Sequence, residues 1–122
     1  MHKKAREYDK NIIKALQNLK VPLRTFDNHN VFFNEDKRKE TIFEHIANKE
    51  HHLHLVDIQL IPVILMDRTC LKIDRKGNKN RLYIGKRIKN NERLKYLKIV
   101  TKLSKDRTET VITIYPIKNV DS

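Results

Sequence analysis

From Cys70 onward, apolar side chains recur at every second position, in four short blocks separated by turn-forming residues. A two-residue period is that of a strand with one face buried, and it leaves no room for further helix in that half. "CLKID" sets Leu71 and Ile73 on one face. After the turn "RKGNKN", "RLYIGKRI" sets Leu82, Ile84 and Ile88 there. After "KNNE", "LKYLKIVTKLS" adds Leu97, Ile99 and Leu103. After "KDRTE", "TVITIYP" adds Ile112 and Ile114. Short loops between such blocks predict an antiparallel meander.

Before residue 70 the spacing is helical. Ala5, Tyr8, Ile12, Ala15, Leu16 and Leu19 mark a helix over 4–19, which "VPLRTFDNHN" ends. "VFF" at 31–33 reads as a strand or as a hydrophobic entry to the next helix. That helix is predicted over about 36–50, capped by Asn34 or Asp36, with Ile42, Phe43 and Ile46 buried. A third covers roughly 53–66, where Pro62 argues for an irregular or late start. Helices first and strands second give an α+β fold, with N-terminal helices packed on one face of a four-stranded antiparallel β-sheet. The chain has 122 residues, the length of one compact domain. Within it, residues 1–35 form an N-terminal helix and connecting segment, and 36–122 form the α+β core.

Alternation assigns the other face too. Opposite the Leu/Ile set stand Lys72 and Asp74, then Arg81, Tyr83 and Arg87. Tyr96, Lys98, Val100 and Lys102 come next, then Val111, Thr113 and Tyr115. A solvated antiparallel face is ordinarily polar, but here cations outnumber the single acid. Cations hold phosphates and tyrosine rings stack on unpaired bases, so this face is expected to contact nucleic acid. The totals agree: 27 Lys plus Arg against 15 Asp plus Glu give a net charge of +12, which concentrates polyanions near the surface. A Lys-, Asn- and Ile-rich composition accounts for part of that charge, but not for its placement.

Other classes are excluded. One cysteine, Cys70, allows neither an internal disulfide nor a thiolate metal cage, and a reducing cytoplasm fits. Two glycines cannot build a Gly-rich phosphate loop. "MHKKAREYDK" has no apolar segment of a secretory signal, and the longest apolar run, "LIPVILM", is too short to span a bilayer. No helix pairs one basic face with one bulky apolar face, so membrane binding ranks last.

Four of the six histidines fall in "FEHIANKEHHLHL", residues 43–55. On a continuous helix His45 and His52 share a face but lie about 10.5 Å apart along the axis, too far for one zinc. No HExxH exists. His51, His54 and Asp57 have spacing three with no further support, so neither a metal nor another cofactor is expected. Acid–base work needs no metal: RNA cleavage by the 2′-hydroxyl requires a base, an acid for the leaving oxygen, and cations around the phosphorane. Histidine serves either proton role near neutral pH. His45 and His51 are the candidates. His52 and His54 read as a polar helix end, favoured there by the dipole.

The stretch "KETIFEHIANKEHHLHLVDIQLIPVIL", together with the strands C-terminal to it, resembles the phage-associated branch of the barnase–EndoU–colicin E5/D–RelE superfamily of metal-independent RNases. The matching positions are His45-Ile46, Lys49 and His51; Asp57-Ile58, Ile61-Pro62 and Ile64-Leu65; and Thr113-Ile114-Tyr115, over roughly residues 39–117. Where that family usually carries Asn-Pro after its second helix, this chain has "MDRTC". The resemblance implies a cytoplasmic endoribonuclease of toxin or phage type. The helix histidines beside the basic, tyrosine-bearing sheet then make His45 the general base or acid, with His51 as a second candidate, Arg81, Arg87 and Lys98 the groups that bind phosphate and stabilise the transition state, and Thr113 and Tyr115 the groups that position or protonate. Lys49, Lys72, Tyr83, Arg87, Tyr96, Lys98 and Lys102 would bind RNA. It also implies an antitoxin or immunity partner, whose acidic surface would cover Arg81, Arg87 and Lys98. The alternatives are a nucleic-acid-binding module without chemistry and a protein-interaction accessory factor.

Overall fold

The computed structural model describes residues 7–34, 40–72, 80–88 and 93–120. The predicted α+β class is observed, with three α-helices and a curled six-stranded mixed sheet in place of four antiparallel strands. The helices are α1 (Lys10–Gln17), α2 (Ile42–Ile46) and α3 (Leu55–Leu65). The strands are β1 (Leu23–Arg24), β2 (Asn30–Phe33), β3 (Leu71–Lys72), β4 (Asn80–Lys86), β5 (Tyr96–Ser104) and β6 (Thr108–Ile117). Their order across the sheet is β1-β2-β6-β5-β4-β3. The expected meander is present as β3 to β6. The two additional strands come from the N-terminal segment, where β2 pairs parallel to β6, Val31 opposite Glu109 and Phe33 opposite Val111. A four-residue strand between turns carries too little periodicity to announce its partner.

Each helix is shorter than the spacing predicts. The α1 helix begins where Asp9 accepts hydrogen bonds from the backbone of Asn11 and Ile12. The α2 helix is capped by Thr41 instead of Asn34, and the alternative cap Asp36 lies outside the described residues. Thr41 and Glu44 form a reciprocal capping box: the Glu44 amide donates to the Thr41 hydroxyl at 3.1 Å and the Thr41 amide to Glu44 Oε1 at 2.9 Å. The helix stops after five residues because the backbone beyond it pairs elsewhere. The Asp9 amide donates to the Ala47 carbonyl and the Lys49 amide to the Glu7 carbonyl. Lys49–His51 then form a separate 3-10 turn, so the histidine segment is not one helix. Pro62 lies within α3, contrary to the late start expected for it.

The core lies between the helices and one face of the sheet. Ile12 and Leu16 of α1, Ile46 of α2, Ile61 and Leu65 of α3, and Leu97, Ile99 and Ile114 of the sheet are fully buried in it. Leu23, Val31 and Phe33 belong to the same cluster. The described part of the N-terminal segment therefore shares the one core.

Gly85 shows which way β4 faces. A Cβ built there would collide with Ile64 Cγ1 of α3, so alternate residues Arg81, Tyr83 and Arg87 also face the helices. Their partners agree: Tyr83 pairs with Ile99, Gly85 with Leu97 and Arg81 with Thr101. The expectation that these three lie on the open face is therefore overturned. Leu82 and Ile84 turn outward instead, and Ile88 is 70% exposed. In β6 a bulge opposite Val100 and Thr101 inserts Ile112 as an extra residue. It moves Val111 to the buried side and leaves Ile112 exposed, the reverse of the simple alternation.

Candidate functional site

The open face is built from β3 to β6. Cross-strand partners share a face, so Lys72 and Leu82, Lys86 and Tyr96, Lys98 and Tyr115, Val100 and Thr113, and Tyr96 and Ile117 lie together on it. Lys102 stands two residues after Val100 on the same side. Of the predicted sheet residues, Lys72, Tyr96, Lys98, Lys102, Thr113 and Tyr115 are thus where the alternation puts them. Asp74 and the turns "RKGNKN" and "KNNE" fall on or extend into segments outside the described residues. Ile84, Val100 and Ile117 are buried, yet stand apart from the main core, forming an apolar floor under the polar side chains.

The α2 helix brings histidine to the rim of this face. The β2–β6 ladder ends at Phe33 and Val111, so among the described residues no strand pairs with the second half of β6 on that side. The α2 helix packs against that strand. From it His45 reaches over the edge: Nε2 is 3.1 Å from Thr113 Oγ1 and Nδ1 is 3.1 Å from Glu40 Oε1. The Tyr8 hydroxyl donates to the other Glu40 oxygen at 2.8 Å. With Nδ1–H donating to the carboxylate, Nε2 of the neutral ring accepts from the threonine hydroxyl. Carboxylate, imidazole and hydroxyl thus stand in series. His45 is 43% exposed, and a cavity of about 510 Å³ opens beside it, lined by Glu40, Thr41, Ile112 and their neighbours.

The break after α2 folds the second histidine back toward the first. His51 Nδ1 lies 3.1 Å from the Ile46 carbonyl, which requires the proton on Nδ1 and leaves Nε2 as the acceptor in the neutral ring. The His45 and His51 rings are 5.8 Å apart in an edge-on arrangement. The Tyr115 ring is 6.5 Å from His51, and Lys98 Nζ lies 5.6 Å from the Tyr115 ring centre. The structure therefore groups His45, His51, Thr113, Tyr115 and Lys98. Lys49 pairs with Glu7 at 3.7 Å on the surface. Neither Glu40 nor Tyr8 was flagged from the sequence. Glu40 stands just before the capping Thr41, a position that puts a carboxylate within reach of a histidine one turn into the helix.

Arg81 and Tyr83 of β4, and Arg87 just after it, have other partners. Arg87 is 3% exposed. Its Nε and Nη2 donate to the two oxygens of buried Asp57 at 2.9 and 2.7 Å, while Nη1 donates to the Leu94 carbonyl at 3.0 Å. Tyr83 and Glu109 are fully buried. The Tyr83 and Thr101 hydroxyls each donate to Glu109 Oε1 at 2.7 Å. Burial and the Glu109 carboxylate push the Tyr83 phenol far up, so it stays a donor. Arg81 Nη1 lies 2.8 Å from Asp27 Oδ2 and 3.2 Å from Glu109 Oε2. His29 Nδ1 is 2.7 Å from Glu109 Oε2.

Asp27, His29 and Glu109 bring three ligand-type atoms within 4.8 Å of one another, the one such grouping among the described residues. The Arg81 guanidinium already lies against both carboxylates of that cluster. Burial and neighbouring Asp67 raise the Cys70 thiol, which keeps it protonated and a poor nucleophile. No described helix is long and apolar enough to cross a membrane. Compared with known proteins, the chain matches no protein family, no curated protein and no solved structure.

Proposed function

We propose that the protein is a metal-independent endoribonuclease of toxin or phage type, with its active site at the His45 rim of the open sheet face. The observation that carries this reading is His45 held between Glu40 and Thr113, with a second imidazole 5.8 Å away. A carboxylate behind an imidazole fixes its tautomer, and the Thr113 hydroxyl in front marks where a substrate hydroxyl would give up its proton. A ribose 2′-hydroxyl placed where the Thr113 hydroxyl now donates would lose its proton to His45 Nε2. The 2′-oxygen then forms a bond to phosphorus and the P–O5′ bond breaks. His51, protonated, supplies the proton to the leaving 5′-oxygen. The products are a 2′,3′-cyclic phosphate and a 5′-hydroxyl. Lys98 supplies positive charge to the phosphorane, while Tyr96 and Tyr115 offer rings for unpaired bases. The order of two helices before antiparallel strands ending in Thr113-Ile114-Tyr115 supports kinship with the barnase–EndoU–colicin E5/D–RelE superfamily.

The test is incubation of end-labelled tRNA and a mixed-sequence RNA oligonucleotide in EDTA at low salt. Fragments with 2′,3′-cyclic phosphate ends are expected. Intact RNA with salt-dependent binding would replace this reading by a non-catalytic nucleic-acid module, which Lys72, Lys86, Lys98 and Lys102 on one face favour. An acidic antitoxin or immunity protein would meet those lysines, since Arg81 and Arg87 are held by Asp27, Glu109 and Asp57. Intact RNA with a stable acidic partner would favour the accessory-factor reading.

A further inference from the structure

A second cavity, of about 460 Å³, is lined by His52, His54, Arg93, Leu94 and Lys118. Four of these five are cationic or able to become so, and none of these described residues is a carboxylate. Among the described residues neither Arg93 nor Lys118 takes part in an ion pair. The four side chains that carry this charge are all exposed.

The walls are held from beneath. The buried Arg87 guanidinium donates to the Leu94 carbonyl on one side and lies 3.4 Å from the His52 carbonyl on the other. His52 takes φ 53°, in the left-handed region, where a non-glycine residue carries some strain. Asp57, which neutralises Arg87, also accepts from the His54 amide at 2.8 Å and so fixes the start of α3. The ion pair therefore ties the two histidine positions to the Leu94 segment. Its own charges cancel, so among the described residues lining the cavity no carboxylate is left over to compensate Arg93 and Lys118.

We infer that this cavity binds a phosphoryl group. Two imidazoles, a guanidinium and an ammonium around one concavity match a compact oxyanion that offers several acceptor oxygens. An acidic peptide would find no apolar groove here beyond Leu94. The cavity is close in sequence to the candidate active site: His52 follows His51, and Lys118 lies three residues beyond Tyr115 where the chain leaves β6. A nucleic acid on the open face would bring a phosphate to it. Its use as an RNA subsite rests on the proposed function, whereas its affinity for phosphate does not.

The test is titration of the full-length protein with inorganic phosphate at about pH 6, below the ordinary imidazole value of about 6.5. Ionic strength is held constant with chloride, and the imidazole resonances of His52 and His54 are followed by NMR. Saturable shifts are expected with phosphate and not with chloride. The Arg93→Ala/Lys118→Ala variant should weaken phosphate binding by about tenfold or more, about 1.4 kcal/mol. Any response at His45 should be unchanged. Shifts that chloride reproduces, or unchanged affinity in the variant, would overturn the assignment.

Ribotrinucleotides with and without a 5′-phosphate then separate the sources. Tighter binding of the phosphorylated one identifies a terminal phosphate. Equal binding that the variant weakens identifies an internal one. Binding that the variant leaves untouched removes nucleic acid as the source. Phosphate binding by a protein that leaves RNA intact would sink the nuclease reading alone. Cleavage without phosphate binding at His52 and His54 would sink the pocket alone.

Discussion

Among the described residues there are two histidine–glutamate pairs, one on the covered side of the sheet and one at the open rim, built from nearly the same residue types. On the covered side His29 meets Glu109, with Arg81, Tyr83 and Thr101 around them. At the open rim His45 meets Glu40, with Thr113, His51, Tyr115 and Lys98 around them. The covered pair is saturated: Glu109, fully buried, accepts from two hydroxyls and faces both a guanidinium and an imidazole. Burial leaves a carboxylate no water, so the protein must supply every partner. The rim pair is under no such demand. It keeps a ring edge and a hydroxyl available to a substrate. Composition does not separate a structural cluster from a reactive one; the number of valences left over does.

Removing one member of each pair puts this contrast under the greatest stress. His45→Ala should lower RNA cleavage by about 10²- to 10⁴-fold, the usual worth of a general acid–base group. Its urea midpoint should stay close to wild type, because the ring is nearly half exposed. Full cleavage by the folded variant would remove His45 from the mechanism. Glu109→Ala should do the opposite, costing about 3–5 kcal/mol in equilibrium unfolding by orphaning buried charge and two hydroxyls. A cost under about 1 kcal/mol would mean that the covered cluster does not anchor the fold.

Smaller effects probe the boundary between the faces. Gly85→Ala should cost about 1–3 kcal/mol in urea unfolding, because the new methyl meets Ile64 and α3 must move off β4. A neutral result would mean that α3 does not press on this strand. The smallest effect is the pH dependence contributed by Asp27. Burial alone would raise its carboxyl, but hydrogen bonds from Thr25 and Arg81, and the charges of Arg81 and His29, outweigh it and hold the group below its ordinary value. A depressed folded value means that the stabilisation is full above the unfolded value of about 3.9 and is lost as pH falls through the folded one. The gap in urea midpoint between wild type and Asp27→Asn should therefore narrow as pH drops below about 4. A gap that stays constant to low pH would show that Asp27 is not charge-coupled to Arg81.

Much of the architecture was legible before any coordinates. The switch from helical to two-residue spacing at Cys70 marks where helices end and the meander begins, because each period is the geometry of its element. The open-face placement of Lys98, Lys102, Thr113 and Tyr115 came from alternation on strands whose buried partners, Leu97, Ile99 and Ile114, are unambiguous. His45 and His51 were visible as the candidates, though not the carboxylate behind His45. The facing of β4 is not legible because its buried phase carries two arginines while Leu82 and Ile84 form the more apolar one. Arg81 and Arg87 turn inward only because Asp27, Glu109 and Asp57 meet their charge there.

Local pattern was enough to settle the kind and order of elements from β3 onward, the surplus of positive charge, and the pool of histidines. The facing of β4 came only from long-range packing. Asp57 and Glu109, distant in sequence, had to be buried beside Arg87 and Arg81 for the charges to balance, and Gly85 had to admit Ile64. Long-range packing also set the parallel pairing of β2 with β6 and the early break of α2, both of which depend on backbone hydrogen bonds to segments far along the chain. Local propensity fixes what a stretch can become. Where it points is settled by which remote partner satisfies its buried polar groups, and that information is not local.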